Sequence, residues 1–176
     1  MNKNTKLLTY FTGHGGDGYI KIQDTTVIMD DEMRDATNES YAKANYNEIL
    51  MFSDSCGAAT LFEKLESPNI YGVGSSSRGE KSLSYSSDSN MGLSVVDRFT
   101  RINYLFLSQN LDNNKRLSIA DITKEWPEST LEGHYSSTNT YPKKTEKNIY
   151  FKDFFKDQSP RVRDVVSLGK DSSSLR

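Results

Sequence analysis

Three apolar runs constrain this chain more than anything else in it. Leu7-Leu8-Thr9-Tyr10-Phe11, Ile49-Leu50-Met51-Phe52 and Ile70-Tyr71-Gly72-Val73 carry no charge, and stretches with helical spacing separate them. A short uncharged run of this kind is the pattern of a strand buried on both faces. It places strands at Lys6–Thr12, Glu48–Ser53 and Ile70–Gly74. Between the first two, Asp30 or Asp31 can cap a helix running to about Asn45, with Met33, Ala36, Ser40 and Ala44 turned inward. Between the second and third, residues 57–65 put Leu61, Phe62 and Leu65 at helical spacing before Ser67-Pro68 stops them. Strand, helix, strand, helix, strand specifies an α/β fold, a mostly parallel sheet with right-handed crossovers. Such a sheet builds its sites just past the carboxyl ends of its strands.

The remaining chain is less regular. Tyr19–Ile22 alternates and reads as a short hairpin arm. Ser75–Asn90 is serine-rich and reads as a long loop. Residues 91–107 predict a helix with Met91, Val95, Phe99, Ile102 and Phe106 on one face. A shorter helix follows near Ser118–Trp126, capped by Ser118 with Asp121 three residues on. Residues 134–147 are polar without a period. Ile149-Tyr150-Phe151 and Phe154-Phe155 supply a last strand or edge segment. Residues 1–166 thus form the expected domain, with a disordered tail over 167–176.

Composition narrows the function classes. The 176 residues suit one domain with a sizeable core, and a net charge of −2 gives no reason to expect a nucleic-acid partner. No stretch approaches the roughly 18 apolar residues of a membrane span, and the residues after Met1 do not read as a signal peptide. The first strand begins about five residues after Met1 with no element before it, which predicts a domain incomplete at its N-terminus. A single cysteine cannot form an internal disulfide.

That cysteine, Cys56, lies in Ser53-Asp54-Ser55-Cys56-Gly57, directly after the second strand. Most lone cysteines are small buried hydrophobes. Here the position is a polar strand-to-helix turn, where a helix N-terminus would favour a thiolate and the Cys56 amide could face an oxyanion. His14 follows the first strand inside Gly13-His14-Gly15-Gly16-Asp17-Gly18, a loop whose glycines let a substrate backbone approach and leave the Gly15 amide as a second oxyanion donor. The chain has two histidines, and one thiol with one imidazole is a poor zinc site. Adjacent parallel strands would instead pair Cys56 as nucleophile with His14 as base. Asp54 shares the side of Cys56 by alternation; it is either a helix cap or a polar wall for a substrate side chain. Ser75 to Ser82 start at the carboxyl end of the third strand, as a flexible linker or a binding loop. Asp88 and Asp97 read as a cap and a helix-surface residue, and Trp126 as a packing residue.

These residues resemble a known set. Thr12-Gly13-His14-Gly15-Gly16 is similar to the histidine segment of the legumain-like clan of cysteine peptidases, and Asp54-Ser55-Cys56 to its cysteine segment. Tyr46-Asn47-Glu48-Ile49-Leu50, Gly74-Ser75-Ser76 with Gly79-Glu80, Gly92 to Thr100, and Asp153-Phe154-Phe155 resemble a narrower family. Those are the catalytic subunits that attach glycosylphosphatidylinositol (GPI) lipids to proteins. The resemblance covers roughly residues 6–163 and is weakest over 107–145. It implies a caspase-like three-layer sandwich, with Cys56 as nucleophile, His14 as base and the amides of Gly15 and Cys56 around the oxyanion. The substrate would be a proprotein with a C-terminal GPI signal, the acceptor a GPI lipid, and no metal or other cofactor would be required. The resemblance further implies the lumenal side of the endoplasmic reticulum and other subunits of a membrane complex. Asp54, Ser75, Ser76, Glu80 and Ser82 would line the substrate site. Members of that family also carry a stretch before the histidine strand, with a neighbouring strand and a residue that orients the histidine, and many carry a C-terminal anchor. Two rivals remain: an asparaginyl endopeptidase of the same clan, and a noncatalytic interaction module.

Overall fold

The computed structural model describes residues 1–23, 25–88, 92–111 and 116–155. The tail over 167–176 and the domain boundary at 166 lie outside them. Strand β1 (Lys6–Thr12) is followed by a small antiparallel sheet of β2 (Gly15–Gly16), β3 (Tyr19–Ile22) and β4 (Thr26–Met29). Helix α1 (Asp30–Ala42) leads to β5 (Glu48–Asp54), a 3-10 helix over Ala58–Phe62 leads to β6 (Ile70–Gly74), and a hairpin of β7 (Ser84–Asp88) and β8 (Leu93–Asp97) leads to α2 (Arg98–Asn110). The short helices α3 (Ile119–Ile122) and α4 (Glu128–Leu131) precede β9 (Ser136–Asn139).

The main sheet has the order β1-β5-β6-β9, with the first three strands parallel and β9 antiparallel to β6. Alternation along β5 divides its side chains between two cores. Leu50 and Phe52 join Tyr71, Val73, Phe99, Ile122, Trp126 and Phe151 on one face. Ile49 and Met51 join Ile20, Met33, Leu61, Phe62 and Ile70 on the other. Every residue of β5 and β6 is buried. This is the expected α/β sandwich, with the mainly parallel sheet as its middle layer.

Several local expectations are corrected. The helix expected from Met91 begins at Arg98; Leu93–Asp97 instead pair with Ser84–Asp88, within what reads as loop in the sequence. The β-branched pair Val95-Val96 favours an extended chain, and Gly92, at φ 65, opens β8 in the left-handed region that glycine enters without penalty. Val95 is therefore 60% exposed, while Phe99, Ile102 and Phe106 keep their inward stripe. The residue at the N-cap of α1 is Met29, not an aspartate, and Asp30 turns to Lys64 at 3.1 Å. Tyr150 makes only an isolated bridge to Ser118, after which Phe151–Asp153 coil into a 3-10 turn. The Ser118–Asp121 cap forms as expected: the Asp121 carboxylate accepts from the Ser118 amide at 3.0 Å and hydroxyl at 2.8 Å.

Candidate active site

The parallel register of β1 on β5 pairs Thr12 with Asp54. His14 and Cys56 lie two residues past these partners, at the same carboxyl rim. The contact continues beyond the strands, where the Gly13 amide donates to the Asp54 carbonyl at 3.2 Å. A Cβ on Gly15 would stand 2.7 Å from Ser55 Oγ, and one on Gly57 only 2.6 Å from Asp17 Oδ1 and 2.9 Å from the Gly16 carbonyl carbon. The Gly18 amide donates to Thr60 Oγ1 at 2.6 Å. The histidine loop and the cysteine turn are thus packed backbone on backbone. His14 is exposed, and Cys56 is a partly exposed free thiol.

The turn around Cys56 is fixed by its neighbours. Gly57 adopts φ 60, a left-handed conformation between the strand and the 3-10 helix. Its amide donates to the Glu80 carbonyl at 2.9 Å. Ser76 Oγ donates to the Ser55 carbonyl at 2.7 Å and accepts from the Ala58 amide at 3.2 Å. The α-helix expected over 57–65 is replaced by the 3-10 helix Ala58–Phe62, so the aligned dipole behind the sulfur is shorter than a full helix would give. Among the described residues the Cys56 amide has no hydrogen-bond partner. Lys21 donates its amide to the His14 carbonyl at 2.9 Å, so Gly15, opposite Ile20, falls at the next, non-hydrogen-bonded rung. Its amide points away from β3. Both groups have the freedom an oxyanion donor requires.

The remaining sequence candidates gather behind this turn. Asp54 is fully buried, and its carboxylate accepts from Ser82 Oγ at 2.6 Å, the Thr100 amide at 3.0 Å and Thr100 Oγ1 at 2.5 Å. Thr100 is the third residue of α2, so Asp54 does cap a helix, but α2 rather than the segment that follows it in sequence. Ser75 Oγ lies 3.2 Å from Ser82 Oγ, and Ser75 and Ser76 are both buried. The Glu80 carboxylate is held by the Ser77 amide at 3.1 Å, the His134 amide at 2.9 Å and His134 Nδ1 at 2.6 Å. The structure therefore brings Asp54, Ser75, Ser76 and Ser82 to the base of the Cys56 turn and sends the Glu80 side chain toward His134.

Sequence reasoning assigned no role at this site to four residues. Tyr10 bonds Thr100 Oγ1 at 2.9 Å, and burial pushes its hydroxyl up to about 12. Thr100 joins β5 to α2. His134 sits in a stretch without a period. Asp97 stands at the N-cap of α2 and accepts from Ser84 Oγ at 3.0 Å. Its carboxyl is raised above the usual range by burial and then by the charge of Asp54, opposed by the Ser84 hydroxyl and by the charge of His14. Asp97 thus lies within electrostatic reach of both loops. Its distance in sequence hid it. Among the described residues no three His, Cys, Asp or Glu side chains cluster closely enough to hold a metal ion, and no helix is long and apolar enough to cross a membrane.

Comparison with known proteins gives one consistent result. The sequence profile of the peptidase C13 family matches residues 1–159. A GPI-anchor transamidase of Schizosaccharomyces pombe is 34% identical over 167 residues, which cover 93% of this chain and 42% of that protein. The Saccharomyces cerevisiae GPI-anchor transamidase is 36% identical over 154 residues, 88% of this chain and 37% of its own length. The human GPI-anchor transamidase is 33% identical over 151 residues, 86% of this chain and 38% of its own. The chain spans less than half the length of these relatives.

Proposed function

Since this chain belongs to the peptidase C13 family, we propose that it carries the catalytic centre of a cysteine transamidase that joins proteins to GPI lipids. The observation that carries the reading is the β1–β5 register, which sets His14 and Cys56 level on touching loops. Cys56 Sγ attacks the carbonyl at the cleavage site of a proprotein whose C-terminal signal has small residues, a polar spacer and an apolar tail. His14 takes the thiol proton and returns it to the leaving amine as the carbon–nitrogen bond breaks. A thioester remains on Cys56. The ethanolamine amine of the GPI lipid attacks it, forms the amide and releases the thiol. The amides of Gly15 and Cys56 hold the oxyanion in both tetrahedral steps. Asp54, Ser75, Ser76, Glu80 and Ser82 shape the pocket for the residue at the cleavage site, with Asp54 acting through Ser82 and Thr100 and Glu80 through its carbonyl on Gly57. By likeness to its relatives, the chain works at the endoplasmic reticulum membrane, on the lumenal side, among other subunits.

The test is product analysis. A signal-bearing peptide incubated with hydrazine should yield the hydrazide, and Cys56→Ala should yield none. Free acid in excess of hydrazide would favour the endopeptidase reading instead. Equal turnover by the wild type and Cys56→Ala would remove catalysis by this thiol.

A further inference from the structure

We propose that His134 is a positioning residue for the nucleophile turn: as an imidazolium it clamps Glu80, and through Glu80 it holds the residue 75–82 loop against the backbone that follows Cys56. The inference rests on the reading of Cys56 as nucleophile and adds a residue to it.

Glu80 acts at two ends. Its carboxylate accepts from His134 Nδ1 at 2.6 Å and from the His134 amide at 2.9 Å, while its carbonyl accepts from the Gly57 amide at 2.9 Å. Gly57 sits at φ 60, so that one bond helps fix the left-handed turn that aims both the Cys56 amide and its sulfur. The same loop reaches the other half of the pair, because the Gly79 amide donates to Asp17 Oδ1 at 2.9 Å in the histidine loop. Ser77 Oγ adds a bond to the His134 carbonyl at 2.9 Å. The loop is therefore a bracket across both reactive segments, and His134 is its outer fastening.

The charges around His134 favour its protonated form. From the loop it meets Glu80, and from α4 it meets Glu128, whose carboxylate is 3.2 Å from Nε2. The neighbouring basic groups are engaged elsewhere. Arg98 of α2 pairs with Glu132 at 3.0 Å, and Arg78 pairs with Glu63 and faces Asp17 at 4.0 Å. The His134 imidazole is accordingly held above its ordinary range, first by its hydrogen bond to Glu80 and then by the charges of Glu128 and Glu80. The Glu80 carboxyl is lowered, first by the same bond to His134. A histidine whose midpoint is raised by folding lends its stabilisation in full below the unfolded midpoint and loses it as pH rises through the folded one. The clamp is at full strength in mild acid and weakens on the alkaline side, where the His134 amide still holds Glu80 but the charge of the ring is gone.

The pair is half exposed, so salt screens it and the effect is a matter of severalfold rather than of orders of magnitude. With His134→Gln, kcat/KM for acyl transfer near pH 6 should fall about two- to fivefold. The deficit should shrink as pH rises past the wild-type midpoint, because the wild type has then lost the charge that strengthens the clamp. His134→Lys, a permanent cation at that range, should restore activity in acid and remove the alkaline decline. The midpoint itself is read from the His134 ring resonances, which need to be told apart from those of only one other histidine. It should lie above the ordinary value in the wild type and drop in Glu80→Gln. A deficit of constant size at all pH values, or an ordinary midpoint, overturns the proposal. Should the wild type transfer no acyl group, the transamidase reading fails. Alkylation of Cys56 by chloroacetamide, followed against pH in the same variants, then decides the clamp by the same criteria.

Discussion

Strands β5 and β1 lie side by side in register, yet they hold Cys56 and His14, the residues proposed to react, in different ways. β5 is buried along its whole length, between β1 and β6 and between two apolar cores. Among the described strands β1 is outermost in the sheet order, and it is partly exposed throughout, with Tyr10 at 38%. Cys56 therefore follows a wholly buried strand, while His14 leaves a partly exposed outer strand on a loop of glycines. The histidine loop is held against the cysteine turn by secondary ties, Gly13 to Asp54 and Gly15 against Ser55, while Tyr10 ties β1 to Thr100 of α2. On the proposed mechanism, the nucleophile follows the wholly buried strand and the base follows the partly exposed one.

The largest expected effects test the division of labour itself. Cys56→Ala should lower acyl transfer by at least about 10³-fold and leave the melting temperature within about 2 °C of the wild type, since it deletes one partly exposed atom. His14→Ala should cost about 10²- to 10⁴-fold, the range of a lost general base. A His14 variant with wild-type turnover would detach β1 from the chemistry. Next come the strands. Phe52→Ala empties the point where four aromatic rings meet, with Phe151 at 6.2 Å and Tyr10 at 5.8 Å between centroids, and should cost about 3–5 kcal/mol in denaturant unfolding. Leu8→Ala on β1 should cost nearer 2 kcal/mol, since one side of its strand is already open. Hydrogen exchange reads the same contrast without mutation. The β5 amides should exchange only through global unfolding and the β1 amides through smaller openings. Equal protection of both strands would erase the difference.

The sequence made one half of this comparison easier to read than the other. Continuous apolar runs betray strands buried on both faces, so β5, β6 and the position of Cys56 were legible. β1 was legible as a strand, but its partial exposure depends on its place in the sheet, which no run encodes. β9 was missed because an edge strand has no need of an apolar pattern: Ser136–Asn139 is held by main-chain bonds to β6. The segment 91–97 misled because Val95 and Phe99 satisfy helical spacing by accident, while the real signals were Gly92 and two adjacent valines. Asp54 was readable as a cap yet not as a cap for α2, because a helix whose third residue is Thr100 is forty-six positions away. Pairings between distant segments, such as Glu80 with His134, leave no periodic trace at all.

Asp97 offers the finest probe, because its carboxylate feels the ends of both strands through Asp54 and His14. Burial and the Asp54 charge raise its carboxyl above the usual range. A raised carboxyl means that the folded protein holds the proton more tightly than the unfolded chain. Its contribution is then most favourable below the unfolded midpoint, about pH 3.9, and is lost as pH rises through the folded one. Asp97→Asn keeps an acceptor for Ser84 and removes the charge. Thermal melts of the two proteins should therefore nearly coincide in acid and separate toward neutrality, with the variant the more stable by a few degrees at most. Its acyl-transfer rate should change less than about tenfold, since a neighbouring charge tunes the base without replacing it. Were the variant less stable at neutral pH, the attraction between Asp97 and His14 would outweigh the repulsion from Asp54. β1 would then be tied to the α2 end of the site more firmly than its exposure implies, and the contrast with β5 would shrink accordingly.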